Sequence, residues 1–414
     1  MPTIKTVRAD EILDSRGNPT VETVITLDDG TQASAAVPSG ASTGAFEAFE
    51  MRDEDAGRYG GKGVLKACEH VNTSIAKAIV GMNPEEQEAI DKTMIDLDGT
   101  DQKKNLGANA ILSVSMASAR AAALIQKKPL YQYLRDHFSF GEPVNFPSPL
   151  MNLINGGKHA STNIALQEFQ IVFARADCDA QLEMGSEIFH ALGGILEEHG
   201  LDTDVGNEGG YAPNVDSIEQ VFEMFHEAIE AAGASVGGDV TLGIDAAANS
   251  FASGDVYEIA PPTERLSASQ LGERYAAWAK KYQLTSIEDP FSEDAWDEWS
   301  SFTALYPELT VIGDDLFVTN VQRIQKGIDT KASNASLIKL NQIGTVSETI
   351  DAIKLSQDHA FKVIVSHRSG ETNDAFIADL AVAVGADLLK AGAPSRGERV
   401  AKYNRLKAIW LETR

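Results

Sequence analysis

Acidic and basic residues end a series of short apolar segments in the second half of this chain. These residues are Asp245, Glu288, Asp314, Lys339, His367 and Lys390. From Glu288 onward they recur every 23 to 28 residues. That spacing has room for one strand, one helix and two short loops, which is the unit that connects neighbouring parallel strands.

The apolar segments themselves predict strands that are buried on both faces, as in a parallel sheet. In a barrel of alternating strands and helices, the active face lies at the carboxyl ends of the strands. We therefore expect the polar residues that end these segments to lie together at one end of a barrel.

Three of these residues are carboxylates on separate strands: Asp245, Glu288 and Asp314. A few carboxylate oxygens, completed by water and substrate, suit Mg²⁺. Any one of the three could instead cap the helix that follows its strand. Their placement together on one barrel face favours a metal site.

Two lysines end other strands of the series. Lys339 would be poorly solvated at a buried strand end, which lowers the pKa of an ammonium group and predicts a neutral base. The alternative for Lys339 is a buried ion pair with one of the carboxylates. Lys390 would supply a neighbouring positive charge or hold a substrate carboxylate.

Further candidates lie in loops and at another strand end. Arg368 and Ser369 together suit a phosphate group, although a solvated loop arginine paired with an acid is the alternative. Glu168 follows an apolar segment, and Glu208 lies between glycines. Either glutamate predicts a general acid if its pKa is raised, although a lone glutamate is more often structural.

The composition limits the classes of function. Lys and Arg number 35 against 61 Asp and Glu, a net charge of −26, so nucleic-acid binding is not expected as a main task. Only two cysteines are present, which predicts no disulfide framework and a reducing, cytoplasmic location. No signal peptide or membrane-spanning segment is expected.

The first 140 residues differ from the rest. Alternating segments at 21–27 and 31–37 around a turn predict a β-hairpin, and helices are expected at 64–80, 84–97 and 107–126. Strands followed by helices predict an α+β domain. Because residues 142–149 contain three prolines, we place a linker there, between domains at 1–140 and 141–414.

These motifs together resemble the enolase family, the phosphopyruvate hydratases of glycolysis and gluconeogenesis. The resemblance covers essentially the whole chain. It rests on the segments ILDSRGNPTVE (12–22), VPSGASTG (37–44), ALQEF (165–169), SIEDPF (286–291), GDDLFVTN (313–320), LIKLNQIGT (337–345), SHRSGET (366–372) and GAPSRGER (392–399).

The resemblance implies an N-terminal α+β cap and a C-terminal eight-stranded α/β barrel of the TIM type that begins with an antiparallel strand. It implies reversible dehydration of 2-phosphoglycerate to phosphoenolpyruvate, with two Mg²⁺ per active site offsetting the charge of the intermediate. The implied metal ligands are Asp245, Glu288 and Asp314 for the first ion, with Ser42 for the second.

The resemblance also assigns the remaining residues. Lys339 is implied as base and Glu208 as acid, and Glu168 supports the acid's site. The implied substrate contacts include Lys390 for the carboxylate, Arg368 and Ser369 for the phosphate, and His159 and His367 lining the pocket. The family further implies a homodimer or an octamer of dimers, and cell-surface or secreted copies beside the cytoplasmic ones.

One position departs from the family pattern beside the implied acid. Asn207 stands where the family pattern has Asp, which removes a negative charge next to Glu208. We therefore expect Glu208 to be more acidic here. Two other functions are weighed: a racemase or cycloisomerase acting on a carboxylate without elimination, and a non-enzymatic scaffold or binding role.

Overall fold

The computed structural model of this chain describes residues 1–40, 46–142, 146–174 and 177–414. The strands in these ranges are β1 (Ile4–Leu13), β2 (Pro19–Leu27), β3 (Gln32–Ala36), β4 (Ser148–Asn155), β5 (Glu168–Phe173), β6 (Val240–Asp245), β7 (Ala252–Ser253), β8 (Val256–Ile259), β9 (Glu264–Ser267), β10 (Leu284–Glu288), β11 (Thr310–Gly313), β12 (Ala335–Ile338), β13 (Lys362–Ser366) and β14 (Leu388–Lys390).

Helices surround these strands. They are α1 (Leu65–His70), α2 (Ala76–Ile79), α3 (Gln87–Asp98), α4 (Ala108–Ile125), α5 (Leu130–His137), α6 (Cys178–Glu198), α7 (Ile218–Ala231), α8 (Ala268–Tyr282), α9 (Trp296–Leu305), α10 (Val321–Thr330), α11 (Leu340–Ile343), α12 (Val346–Asp358), α13 (Phe376–Ala383) and α14 (Gly397–Glu412).

The N-terminal part is an antiparallel three-stranded sheet covered by helices. β2 pairs with β1 and with β3, so the predicted hairpin is confirmed. The helix expected at 64–80 is present as α1 and α2, joined by a π-helical turn at Val71–Ile75. The helix expected at 84–97 begins later, at Gln87, because residues 84–86 form a turn.

α4 is the central helix of this part. It packs against β2 and β3, and its small Ala and Ser residues allow that close approach. By length and composition it could cross a membrane, but 83% of its 18 residues are buried inside the fold. Its apolar character is therefore accounted for by the core that it forms.

The C-terminal part is a closed eight-stranded barrel in the order β4, β5, β6, β10, β11, β12, β13, β14. β5 runs antiparallel to both β4 and β6, and the other neighbours are parallel. The predicted barrel with its irregular start is confirmed. β4 begins at Ser148, inside the segment expected as a linker, and residues 143–145 of that segment lie outside the described ranges. The domain boundary stays a prediction.

A buried ion pair joins the helical cap to the barrel. Arg120 on α4 donates to both carboxylate oxygens of Asp374, at 2.5 and 2.7 Å, and the Ala36 amide donates to the same carboxylate at 3.0 Å. Burial alone would raise the pKa of Asp374, but Arg120 and these hydrogen bonds lower it. The pair therefore stabilises the fold above the acid range.

We expect Asp374→Asn to lower the free energy of unfolding at neutral pH by about 1–3 kcal/mol, because it leaves a largely buried guanidinium without its charge partner. A lowered carboxyl pKa contributes stability that is lost as pH falls, so the difference from the parent should shrink in acid. Urea denaturation at several pH values measures both effects.

The matched control is Asp10→Asn, which removes the exposed ion pair of Asp10 with Arg8. Exposed pairs contribute little, so this variant should denature like the parent. Equal denaturation midpoints for the two variants would contradict a special role for the Arg120–Asp374 pair.

Candidate active site

The barrel register aligns three carboxylates on neighbouring strands. Glu288 at the end of β10 lies opposite Asp245 at the end of β6, and Asp245 lies opposite Glu168 on β5. Glu168 is the first residue of its strand, but β5 runs antiparallel, so this residue also reaches the carboxyl end of the barrel. The expectation that the strand-end residues share one end is confirmed for Asp245 and Glu288, and Glu168 lies beside them.

The ammonium group of Lys390 lies among these carboxylates. Its Nζ is 2.7 Å from Glu288 Oε2, 3.1 Å from Glu168 Oε2 and 3.4 Å from Asp245 Oδ2. Burial alone would lower the pKa of Lys390, but Glu168, Glu288 and Asp245 raise it well above its usual value. Lys390 therefore remains charged and neutralises part of the acidic cluster.

Lys339 pairs with the third predicted metal ligand. Its ammonium contacts Asp314 directly. Burial lowers the pKa of Lys339, but the neighbouring carboxylates, Asp314 above all, together raise it above its usual value. The expectation of a lowered pKa is wrong for this arrangement, and the buried ion pair considered as the alternative is what the structure has. Lys390 and Arg368 act in the lowering direction but are weaker.

Asp314 is held in place by residues that the sequence reasoning missed. Gln342 donates to its Oδ1 at 2.9 Å. Asp289 accepts hydrogen bonds from the backbone amides of Asp314 and Asp315, at 2.9 and 2.8 Å. Asp289 directly follows Glu288, so its adjacency to a strand-end carboxylate was the available signal.

Glu208 faces two imidazoles and one amide. Its Oε2 lies 3.3 Å from His367 Nε2 and 3.1 Å from Asn152 Nδ2, and its Oε1 lies 3.5 Å from His159 Nδ1. Burial would raise the pKa of Glu208, but His159 and His367 lower it well below its usual value. The lowered pKa arises from these histidines, and the predicted effect of Asn207 on Glu208 stays a prediction.

The raised pKa belongs to Glu168 instead. Burial is the main cause, Lys390 opposes it, and the charge of Glu208 adds to it. His159 Nδ1 lies 3.5 Å from an oxygen of each glutamate. The two glutamates thus differ in pKa although they share one histidine, which is the arrangement of an acid–base site.

The predicted phosphate-binding loop is buried. Arg368 donates to Glu47 at 3.0 Å and to Asn341 Oδ1 at 3.3 Å, so its acidic partner is in the cap. Ser369 lies beside it in the same pocket. Glu47 was missed, and its position just after the Gly-rich segment 37–44 was the signal. Ser42, the ligand expected for a second ion, lies outside the described residues.

One pocket brings most of the candidates together, although Glu288 and Asp314 are not among its lining residues. Gln167 and Ser366 also line it but were not singled out from the sequence; Gln167 donates to Asp245 Oδ2 at 3.0 Å. The pocket is lined by His159, Gln167, Glu168, Glu208, Asp245, Lys339, Ser366, His367, Arg368, Ser369 and Lys390.

The donor set fits a hard divalent cation. Asp245, Glu288 and Asp314 offer carboxylate oxygens from three adjacent strands, and two ammonium groups now balance them. Among the described residues, the two groups whose ligand atoms all lie within 4.8 Å of one another are His159–Glu168–Glu208 and Asp289–Asp314–Asp315. Only Asp314 of the predicted triad belongs to either group, whereas Asp245 and Glu288 both contact the ammonium of Lys390.

Comparison with known proteins places these observations in a family. A family model described as "Enolase, N-terminal domain" matches residues 4–134, and one described as "Enolase, C-terminal TIM barrel domain" matches residues 143–412. A protein of Kineococcus radiotolerans named "Enolase" is 51% identical over 411 residues, which is 99% of this chain and 94% of that protein.

Gly392 lies against the acid and its histidine. Its φ is +80°, and a Cβ there would lie 2.6 Å from the Glu208 carbonyl oxygen and 3.2 Å from His367 Cε1. We expect Gly392→Ala to displace both groups and lower kcat by about 100-fold, the typical cost of a misplacement near 1 Å. Steady-state kinetics measures the loss.

The control for Gly392→Ala is Gly200→Ala. Gly200 has a φ of +70° and nothing within 4 Å of its added Cβ, so this variant carries the same backbone strain without the collision. It should lose about 1–2 kcal/mol of stability and keep its kcat. Equal loss of kcat in both variants would refute the steric explanation.

Proposed function

This chain belongs to the enolase family and catalyses the reversible dehydration of 2-phosphoglycerate to phosphoenolpyruvate in glycolysis and gluconeogenesis; we propose that Lys339 is the base and Glu208 the acid of that reaction. The observation that carries the assignment is that both side chains line the same pocket as Arg368 and Lys390. A phosphorylated small molecule with a carboxylate matches these two cations.

The base must remove a very weakly acidic proton from carbon 2, next to the substrate carboxylate. Lys339 can do so only when its amine is neutral, and its ion pair with Asp314 holds it charged. A metal cation bound beside Asp314 would weaken this ion pair and lower the pKa of Lys339. We propose that Lys339 then loses its proton, and that its neutral amine can accept the proton from carbon 2.

The acid must give a proton to the leaving hydroxide at carbon 3. Glu208 is buried and faces His159 and His367, and Glu168 lies across His159 with its raised pKa. We propose that Glu168, whose raised pKa keeps it protonated, passes its proton by way of His159 to Glu208, which delivers that proton to the leaving hydroxide and leaves Glu168 ionised.

The remaining cations bind the two ends of the substrate. Arg368 with Ser369 suits the phosphate, since a guanidinium offers two parallel donors to an oxyanion, and Glu47 would have to release Arg368 on binding. Lys390 suits the substrate carboxylate, and His367 lines the wall. These contacts distinguish the substrate from carboxylates without phosphate, which argues against a racemase or cycloisomerase.

Enolases depend on Mg²⁺, and this chain carries acidic groups that fit it. We propose that Asp245, Glu288 and Asp314 hold one ion and that Ser42 contributes to a second. Bound Mg²⁺ supplies positive charge that stabilises the negative charge developing at the substrate carboxylate. The homodimer or octamer, the cytoplasmic location and any binding role beside catalysis stay predictions.

Separating the base from the acid tests the assignment. We expect Lys339→Ala to abolish exchange of the carbon-2 proton with deuterated solvent, and Glu208→Gln to retain that exchange while losing dehydration by about 10²–10⁴-fold. Proton NMR follows the exchange, and ultraviolet absorbance follows phosphoenolpyruvate. Retained exchange in Lys339→Ala together with lost exchange in Glu208→Gln would reverse the two roles.

Direct titration tests the metal ligands without an activity assay. We expect Asp245→Asn to weaken Mg²⁺ binding by about 100-fold or more in calorimetry, since even the outer partners of metal ligands typically contribute 10–100-fold. Asp315→Asn is the matched control, because Asp315 belongs to the alternative group with Asp289 and Asp314. If Asp315→Asn weakened Mg²⁺ binding and Asp245→Asn did not, the ion would be assigned to the group of Asp289, Asp314 and Asp315.

A further inference from the structure

Arg399 is a fully buried arginine behind the active site. It lies in the first turn of α14, and its Nη1 is 2.6 Å from His367 Nδ1 and 2.6 Å from the Arg368 carbonyl oxygen. Its Nη2 donates to the carbonyl oxygens of Ser369 and Asn207, at 2.5 and 3.0 Å. One side chain thus connects the phosphate-binding loop with the loop that carries Glu208.

The contact with His367 determines which imidazole nitrogen carries the proton. A guanidinium group has only N–H donors and accepts no hydrogen bond. His367 Nδ1 must therefore be the acceptor, and a neutral imidazole then has its hydrogen on Nε2. That nitrogen lies 3.3 Å from Glu208 Oε2.

We propose that Arg399 is a positioning residue that holds His367 as the neutral Nε2–H tautomer, so that the ring nitrogen 3.3 Å from Glu208 carries a hydrogen and cannot accept a proton from Glu208. The inference rests on the proposed role of Glu208 as the acid. A His367 with a bare Nε2 would compete with the leaving hydroxide for that proton. The tautomer therefore leaves the substrate as the acceptor of any proton that reaches Glu208.

The charged surroundings of His367 support this arrangement. Burial lowers the pKa of His367 to about 3; Glu208 opposes that shift, while Arg399 and Lys390 add to it. These three groups face the ring from the Glu208 loop, from α14 and from β14. His367 is accordingly neutral at pH 7.

α14 also provides a control for purely structural effects. Lys402, one turn further along the helix, is equally buried, and its Nζ lies 2.7 Å from Glu371 Oε2 and 2.5 Å from the Thr372 carbonyl oxygen. Neither of these contacts involves His367 or Glu208. Lys402→Met therefore removes a buried cation of the same helix without changing the tautomer.

The first experiment uses the unmodified protein. Long-range ¹⁵N–¹H NMR of labelled enzyme distinguishes the two imidazole tautomers, and His367→Gln identifies the His367 signal among the eight histidines. We expect a proton on Nε2 and a bare Nδ1. A proton on Nδ1, or averaging between the two tautomers, would overturn the proposal, and this result does not depend on how any Arg399 variant folds.

The second experiment measures function in variants. We expect Arg399→Met to lower dehydration by about 10- to 100-fold, the range found when an outer partner of a functional side chain is removed, while carbon-2 exchange is retained. The acid limb of its pH–rate profile should move to higher pH, because His367 becomes easier to protonate. Arg399→Lys, which still offers a donor, should recover part of the loss.

Lys402→Met should destabilise the protein but slow exchange and dehydration together, with an unshifted pH profile. If both variants retained carbon-2 exchange while losing dehydration, and both showed the shifted acid limb, Arg399 would have only a structural role. If Glu208→Gln itself shows no split between exchange and dehydration, the assignment of the acid fails, whereas the NMR result still tests the action of Arg399 on His367.

Discussion

The ammonium group of Lys390 is the interaction on which the active site depends. The barrel register forces Glu168, Asp245 and Glu288 side by side, and burying several carboxylates without compensation is strongly unfavourable. Lys390 reaches all three from the last strand. The clustered carboxylates that need this counter-ion also suit divalent cations. Such cations, together with Lys390, suit an anionic substrate.

The barrel and most of its site could be predicted because they follow from local patterns. Apolar segments of strand length, separated by room for a helix, indicate parallel strands, and a polar residue that ends such a segment falls on the active face. Asp245, Glu288 and Lys390 were found in this way. Glu168 also reached the correct end, although the reversed direction of β5 came only from the family resemblance.

The protonation states could not be predicted in the same way. The pKa of Lys339 depends on Asp314, and that of Glu208 on His159 and His367, which are distant in sequence and meet only in the fold. Burial is the largest single effect on both groups and by itself predicts the wrong direction, because the neighbouring charges together outweigh it. The role of Arg399 could likewise not be predicted, since a buried arginine within a helical segment carries no periodic signal of its own.

The last strand and α14 have a consequence for the order in which the enzyme acquires activity. β14, the last strand of the barrel, pairs with β4, the first strand. Pairings between segments so distant in sequence are slow to form because of their loop-closure entropy. β14 ends on Lys390, and α14 follows it with Arg399. A chain that is still being synthesised can therefore form much of the cap and several strands while remaining inactive, and the appearance of turnover marks the moment at which the ring of strands closes.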